Sequence, residues 1–170
     1  MNPSMNKGHT LIELLLYVAI FAVVSLVAGA IVLNMLFGKA KLTAVEEVGQ
    51  NGRMALETVI QRVRDAQAVN APAPAASAST LSLQMADAAR NPTVFDLSGG
   101  AVRITEGAGA PVALTASEVS VTSLLFSNAS YAGTPGTVRI MMTVGHANPQ
   151  NRQEYSFEKT FYSSATIRKK

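Results

Sequence analysis

From Leu14 to Gly38 the sequence reads LLLYVAIFAVVSLVAGAIVLNMLFG, 25 residues without a charged side chain. As a helix this run rises about 37 Å, enough to cross a hydrocarbon core of about 30 Å. Ser25 and Asn34 are its only clearly polar members. The apolar core of a removable signal peptide spans only about 7–15 residues. This run is longer and continues into a further helical pattern, so the segment is expected to stay with the protein. Flanking charge does not orient it: Lys7 and the chain amine lie on one side, Lys39 and Lys41 on the other.

Composition narrows the chemistry that the remainder can perform. The chain has 170 residues, room for one domain of ordinary size. It has no cysteine, which excludes disulfide scaffolds, thiolate metal sites and thiol nucleophiles. Its two histidines are His9 and His146, so a histidine-rich metal site is excluded as well. A net charge of +3 with dispersed basic residues argues against nucleic acid as a partner. No phosphate loop, nucleophile elbow, calcium loop or paired-carboxylate motif is present, so the chain is not expected to be an enzyme and no cofactor or metal is implied. The terminal Arg168-Lys169-Lys170 reads as a solvated tail, and His146 as a solvated loop histidine.

The junction ahead of the apolar run is more specific. Lys7-Gly8-His9-Thr10-Leu11-Ile12-Glu13-Leu14-Leu15 places a short polar leader, a glycine and a glutamate immediately before the span. In this arrangement the chain resembles the type IV pilin superfamily, which includes the pseudopilins of type II secretion. The resemblance implies a leader, residues 1–8, cut between Gly8 and His9 by a prepilin peptidase at the cytoplasmic face. It further implies N-methylation of His9 and a mature chain of 162 residues, with Lys7, Thr10, Leu11, Ile12 and Leu14 supporting the motif. One departure stands out: His9 occupies a position where the family usually has phenylalanine or methionine.

Glu13 is the anomaly of the segment. A carboxylate at the edge of an apolar span costs about 3 kcal/mol or more unless it is paired or protonated. A headgroup-facing acid is the bland reading. The resemblance implies instead that Glu13 pairs with the His9 amine of a neighbouring subunit and sets filament register. A single chain separates the two groups by four helical residues, about 6 Å along the axis.

No proline interrupts the sequence from His9 to Val69, which predicts one continuous helix. Its first part, 9–38, is the transmembrane or filament-core segment, and its second part, 39–69, is amphipathic. Leu42, Val45, Val48, Leu56, Val59, Ile60 and Val63 form the predicted apolar stripe. Gly49, Asn51 and Gly52 weaken it, through either a bend or a close approach of the head. Residues 70–80, NAPAPAASAST, read as a connector. Beyond them the period changes to alternation: Leu81/Leu83/Met85, Phe95/Leu97, Val102/Ile104, Val119/Val121, Val138/Ile140/Met142/Val144 and Tyr155/Phe157. Gly99-Gly100 reads as a tight hairpin and Glu106–Pro111 as a second turn. The expected fold class is α+β: a long N-terminal helix packed against a mostly antiparallel head of six or seven strands, residues 81–170.

These readings converge on a structural subunit of a type IV pilus or type II secretion pseudopilus. Ala30 stands where many major pilins carry a helix-breaking proline, which leans toward a pseudopilin or minor subunit. The junction, the Leu14–Phe21 run and the alternating strands look most like minor pseudopilins of the J type and related minor pilins. The resemblance implies four partners: the peptidase, other pilin or pseudopilin subunits, an inner-membrane assembly platform, and membrane lipid before assembly. It places the protein in a bacterial inner membrane as a single pass, N-terminus cytoplasmic and head extracytoplasmic, and then in the filament. A membrane-tethered binding module, an adhesin or DNA-uptake receptor on a pilin-like anchor, is the alternative.

Overall fold

The computed structural model describes residues 10–131, 134 and 136–168. The chain divides into two units at the Lys39/Ala40 boundary. Helix α1, Leu11–Asp65, contributes to both. The absence of proline lets it run unbroken, while Glu13 in its first turn and Arg62 and Arg64 in its last complement the helix dipole. The helix ends four residues before Val69, the end expected from the pattern. Here tertiary pairing overrides propensity: Ala68 and Val69 pair with Gln84 and Leu83 instead of adding another helical turn.

In the first unit, every described residue from Thr10 to Lys39 is exposed except Glu13, which is half-buried. The second unit holds the rest of α1 and, among the described residues, nine strands in two antiparallel sheets. One sheet has the order β1-β3-β4-β5-β6, built from Ala68–Ala71, Leu81–Gln84, Thr93–Ser98, Ala101–Glu106 and Val112–Ala113. The other has the order β2-β7-β8-β9, from Ser77–Ala78, Val119–Asn128, Thr137–His146 and Glu158–Thr166. The fold is therefore α+β, with more strands than the six or seven expected. Two of the additional strands, β1 and β2, lie in or overlap the stretch read as a connector. Asn128, buried at the end of β7, donates through Nδ2 to the Pro72 carbonyl at 2.8 Å and holds this stretch in place.

Both sheets and α1 share one core. Phe95, Phe126, Leu81 and Leu83 are fully enclosed, each worth about 1.5–3 kcal/mol of burial. The buried helix face is Ala44, Val48, Gly52, Ala55, Val59 and Val63; it keeps Val48, Val59 and Val63 of the predicted stripe, with Leu56 and Ile60 half-buried against the core. Leu42, placed in that stripe, is 66% exposed. Small residues occupy the buried face because the second sheet lies close to the helix. A Cβ at Gly52 would overlap the Phe161 ring. Asn51 joins the same contact: its Nδ2 donates to the Glu47 carbonyl at 3.0 Å, and its Oδ1 accepts from the Ala116 N–H at 2.9 Å. Of the two explanations for the weak Gly49–Gly52 segment, the structure shows the close approach.

Two strand expectations need correction. Gly99 and Gly100 do form the β4–β5 hairpin, with φ of 59° and 76° as a two-residue turn of this kind requires. However, Tyr155 lies in a short 3-10 turn, Gln153–Tyr155, and the last strand begins only at Glu158. Strand β7 is ten residues long, and a bulge between Val121 and Ser123 shifts its phase, so Leu124 and Phe126 continue the buried side of Val119 and Val121.

Candidate functional site

The N-terminal end of α1 is built from Thr10 and Glu13. The Thr10 carbonyl accepts from the N–H groups of Glu13 at 3.0 Å and Leu14 at 3.1 Å, and its Oγ1 lies 3.4 Å from the Glu13 nitrogen. A threonine followed three residues later by glutamate is the spacing of a capping box, in which side chains satisfy orphan donors of the first turn. The negative charge of Glu13 also suits the positive end of the helix dipole. Tyr17, one turn deeper, donates its hydroxyl to Glu13 Oε1 at 3.2 Å. The sequence reading gave Tyr17 no part, although its i+4 spacing from Glu13 was the available signal.

Around this carboxylate the surface is apolar. Leu11 and Ile12 are 78% and 76% exposed, and Leu14, Leu15 and Leu16 between 56% and 59%. The helix contains a stretch long and apolar enough to cross a membrane, and none of that stretch is buried within the chain. An apolar surface of this extent needs lipid or other apolar helices around it. Lys7, Gly8 and His9, the residues of the expected cleavage site, lie outside the described residues, as does the rest of the leader.

The head offers little chemistry by comparison. Among the described residues no cluster of three or more histidine, aspartate or glutamate side chains could hold a metal ion. A cleft of about 540 Å³ at the end of α1 is lined in part by Asp65, Val69, Asn128, Ile167 and Arg168. Its buried amide is committed to structure, because Asn128 Oδ1 accepts from the Ser130 N–H at 3.0 Å while Nδ2 holds Pro72. Thr93 and Thr115 are buried too, and each is satisfied: Thr93 Oγ1 donates to the Arg90 carbonyl, and Thr115 Oγ1 accepts from the Val102 N–H.

His146 corrects the expectation of a solvated histidine. Its side chain is only 12% exposed, with Nε2 3.0 Å from Glu47 Oε2 on α1. The ring stacks on Tyr155 at 5.0 Å between centroids, and the Arg152 guanidinium lies 5.0 Å from the same Tyr155 ring. Because β8 extends to His146, the ladder delivers this side chain to the helix, a placement that a single sequence cannot reveal. Two carboxyls are perturbed, one of them beside this stack. The Arg90 side chain, then the Ala89 N–H, hold Asp87 below its ordinary value. Glu154 is lowered by its own backbone N–H first and then by Arg152. Each is a single carboxyl paired with an arginine in a loop, and neither assembles an acid–base site.

Comparison with known proteins locates the informative region. Residues 3–29 match the prokaryotic N-terminal methylation motif. The chain therefore carries a prepilin-type N-terminal motif. The match takes in Glu13, Tyr17 and the apolar run as far as Gly29, and it favours a structural subunit over an enzyme. A prepilin-type motif followed by an exposed apolar helix fits a single-pass protein of the inner membrane. No curated protein matches the chain, and no solved structure does.

Proposed function

We propose that this chain is a prepilin-like subunit that is cut, released from lipid and assembled into a type IV pilus or a type II secretion pseudopilus. The observation that carries the reading is the methylation motif at residues 3–29, which runs into an apolar helix whose described residues from Leu14 to Lys39 are all exposed. A prepilin peptidase removes residues 1–8 by cutting between Gly8 and His9, and the new amine of His9 is methylated. Lys7, Thr10, Leu11, Ile12 and Leu14 complete the recognised segment. The N-terminus then faces the cytoplasm and the head the opposite side.

Assembly transfers the apolar helix from lipid to a core of like helices, aided by an inner-membrane platform. The Glu13 carboxylate pairs there with the amine of a neighbouring subunit. Such a desolvated pair contributes more to register than to net stability, because either partner left alone is costly. The helix runs unbroken through Ala30, and together with the Leu14–Phe21 run this supports a pseudopilin or minor subunit, of the J type in the finer reading. The test is Gly8→Trp. The account expects full-length precursor to accumulate in the membrane and disappear from filaments, whereas normal processing would contradict it.

A further inference from the structure

The charged residue of the apolar segment is not left to lipid. From Thr10 to Lys39, Glu13 alone is half-buried, and the hydroxyl of Tyr17 bonds its Oε1 at 3.2 Å. Side chains on a helix lean toward its N-terminus, so a long side chain at position i+4 reaches back onto residue i. In hydrocarbon a phenol hydroxyl and a carboxylate are each expensive to leave without a partner. Placed one turn apart, each offsets the other's cost. A carboxylate has about four acceptor positions, so a phenol donor on one of them does not exclude a charge partner. The hydroxyl therefore fixes the carboxylate's orientation without competing for the charge partner.

We propose that Tyr17 is the positioning residue for Glu13: its hydroxyl holds Oε1 on the helix surface and so orients the carboxylate toward the ammonium group of a neighbouring subunit. This rests on the registry reading of Glu13 given above. Tyr17 serves the subunit twice, first by holding the carboxylate while the helix lies in lipid, then by aiming it as the helix enters a filament.

The experiment compares Tyr17→Phe, Glu13→Ala and the double variant of the full chain for processing and for incorporation into filaments. Tyr17→Phe keeps the ring and removes only the hydroxyl. It should be cut normally yet incorporate about 3- to 10-fold less, the range for one side-chain hydrogen bond within a membrane. In the Glu13→Ala background the same change should alter incorporation less than about twofold, because the acceptor is gone. Wild-type incorporation of Tyr17→Phe, or an equal loss in both backgrounds, overturns the proposal. Wild-type incorporation of Glu13→Ala, with Tyr17 intact, overturns the registry reading itself and is thereby distinguishable.

A second arm does not depend on assembly. Isotope-edited infrared spectra of the full chain in phospholipid vesicles, with ¹³C-carboxyl glutamate at position 13, read the hydrogen bond directly. The labelled band should move in Tyr17→Phe, and superimposable bands overturn the proposal.

Discussion

Gly49 and Gly52 lie one turn apart on α1 and provide an internally controlled test of how the head meets the helix. Replacing either with alanine removes about 1 kcal/mol of helix cost at an interior position. A Cβ at Gly49 meets nothing within 4 Å, so Gly49→Ala should stabilise the protein by about that amount. At Gly52 the same methyl falls on three carbons of the Phe161 ring. That ring is only 8% exposed, and its strand is fixed by the β8–β9 ladder from Glu158 to Thr166. Overpacking of this kind costs about 1–3 kcal/mol, so Gly52→Ala should be roughly neutral to 2 kcal/mol destabilising. The two variants should thus differ by about 1–3 kcal/mol, or roughly 3–8 °C in Tm for a unit of this size. Thermal unfolding of the full chain in detergent, followed by circular dichroism, measures the difference. Combining Gly52→Ala with Phe161→Ala should restore the stabilising sign of the glycine replacement relative to Phe161→Ala alone. Equal stabilisation by Gly49→Ala and Gly52→Ala would refute the close packing of β9 on α1.

Two further outcomes follow from the head. Asn128→Ala removes the amide that holds Pro72 and Ser130, and should cost about 2–3 kcal/mol in denaturant unfolding, since the backbone groups it leaves behind are deprived of partners. Asp87 and Glu154 are both held below their ordinary values, so each stabilises the fold above its unfolded-state value and loses that effect as pH falls through its lowered folded-state value. Asp87→Asn and Glu154→Gln should therefore each flatten the acid side of a Tm–pH profile below about pH 4.5, weakly and less so in high salt.

The class of the protein was legible at the N-terminus, because a junction such as Gly8-His9-Thr10-Leu11-Ile12-Glu13 and an uncharged run both lie in contiguous sequence. The hairpin at Gly99-Gly100 was legible for the same reason, since a two-residue turn writes its requirement for positive φ into two adjacent residues. What escaped depends on partners distant in the chain. The Leu42 position looked as apolar as Val48, and only the position of the sheet decides which of them is buried. Gly52 and Asn51 leave a bend and a close approach equally open in the sequence, and only the structure shows that one makes room for Phe161 and the other fastens Ala116. The bulge after Val121 broke the alternation that would have exposed Leu124 and Phe126 as the continuation of one strand. Strands β1 and β2 were hidden by an Ala- and Pro-rich composition that resembles a linker. At the candidate site, Glu13 was conspicuous by its charge, whereas Tyr17 could pass for an ordinary aromatic of an apolar helix until its hydroxyl was located.

The central claim is that this chain enters the prepilin pathway, and the intact mass and N-terminal peptide of the protein recovered from its native membranes test it most directly. The account predicts a chain that begins at His9 and carries one added methyl group on its amine. A protein that still begins at Met1 in membranes with active prepilin peptidase would contradict it, and a membrane-tethered binding module would then be the better description.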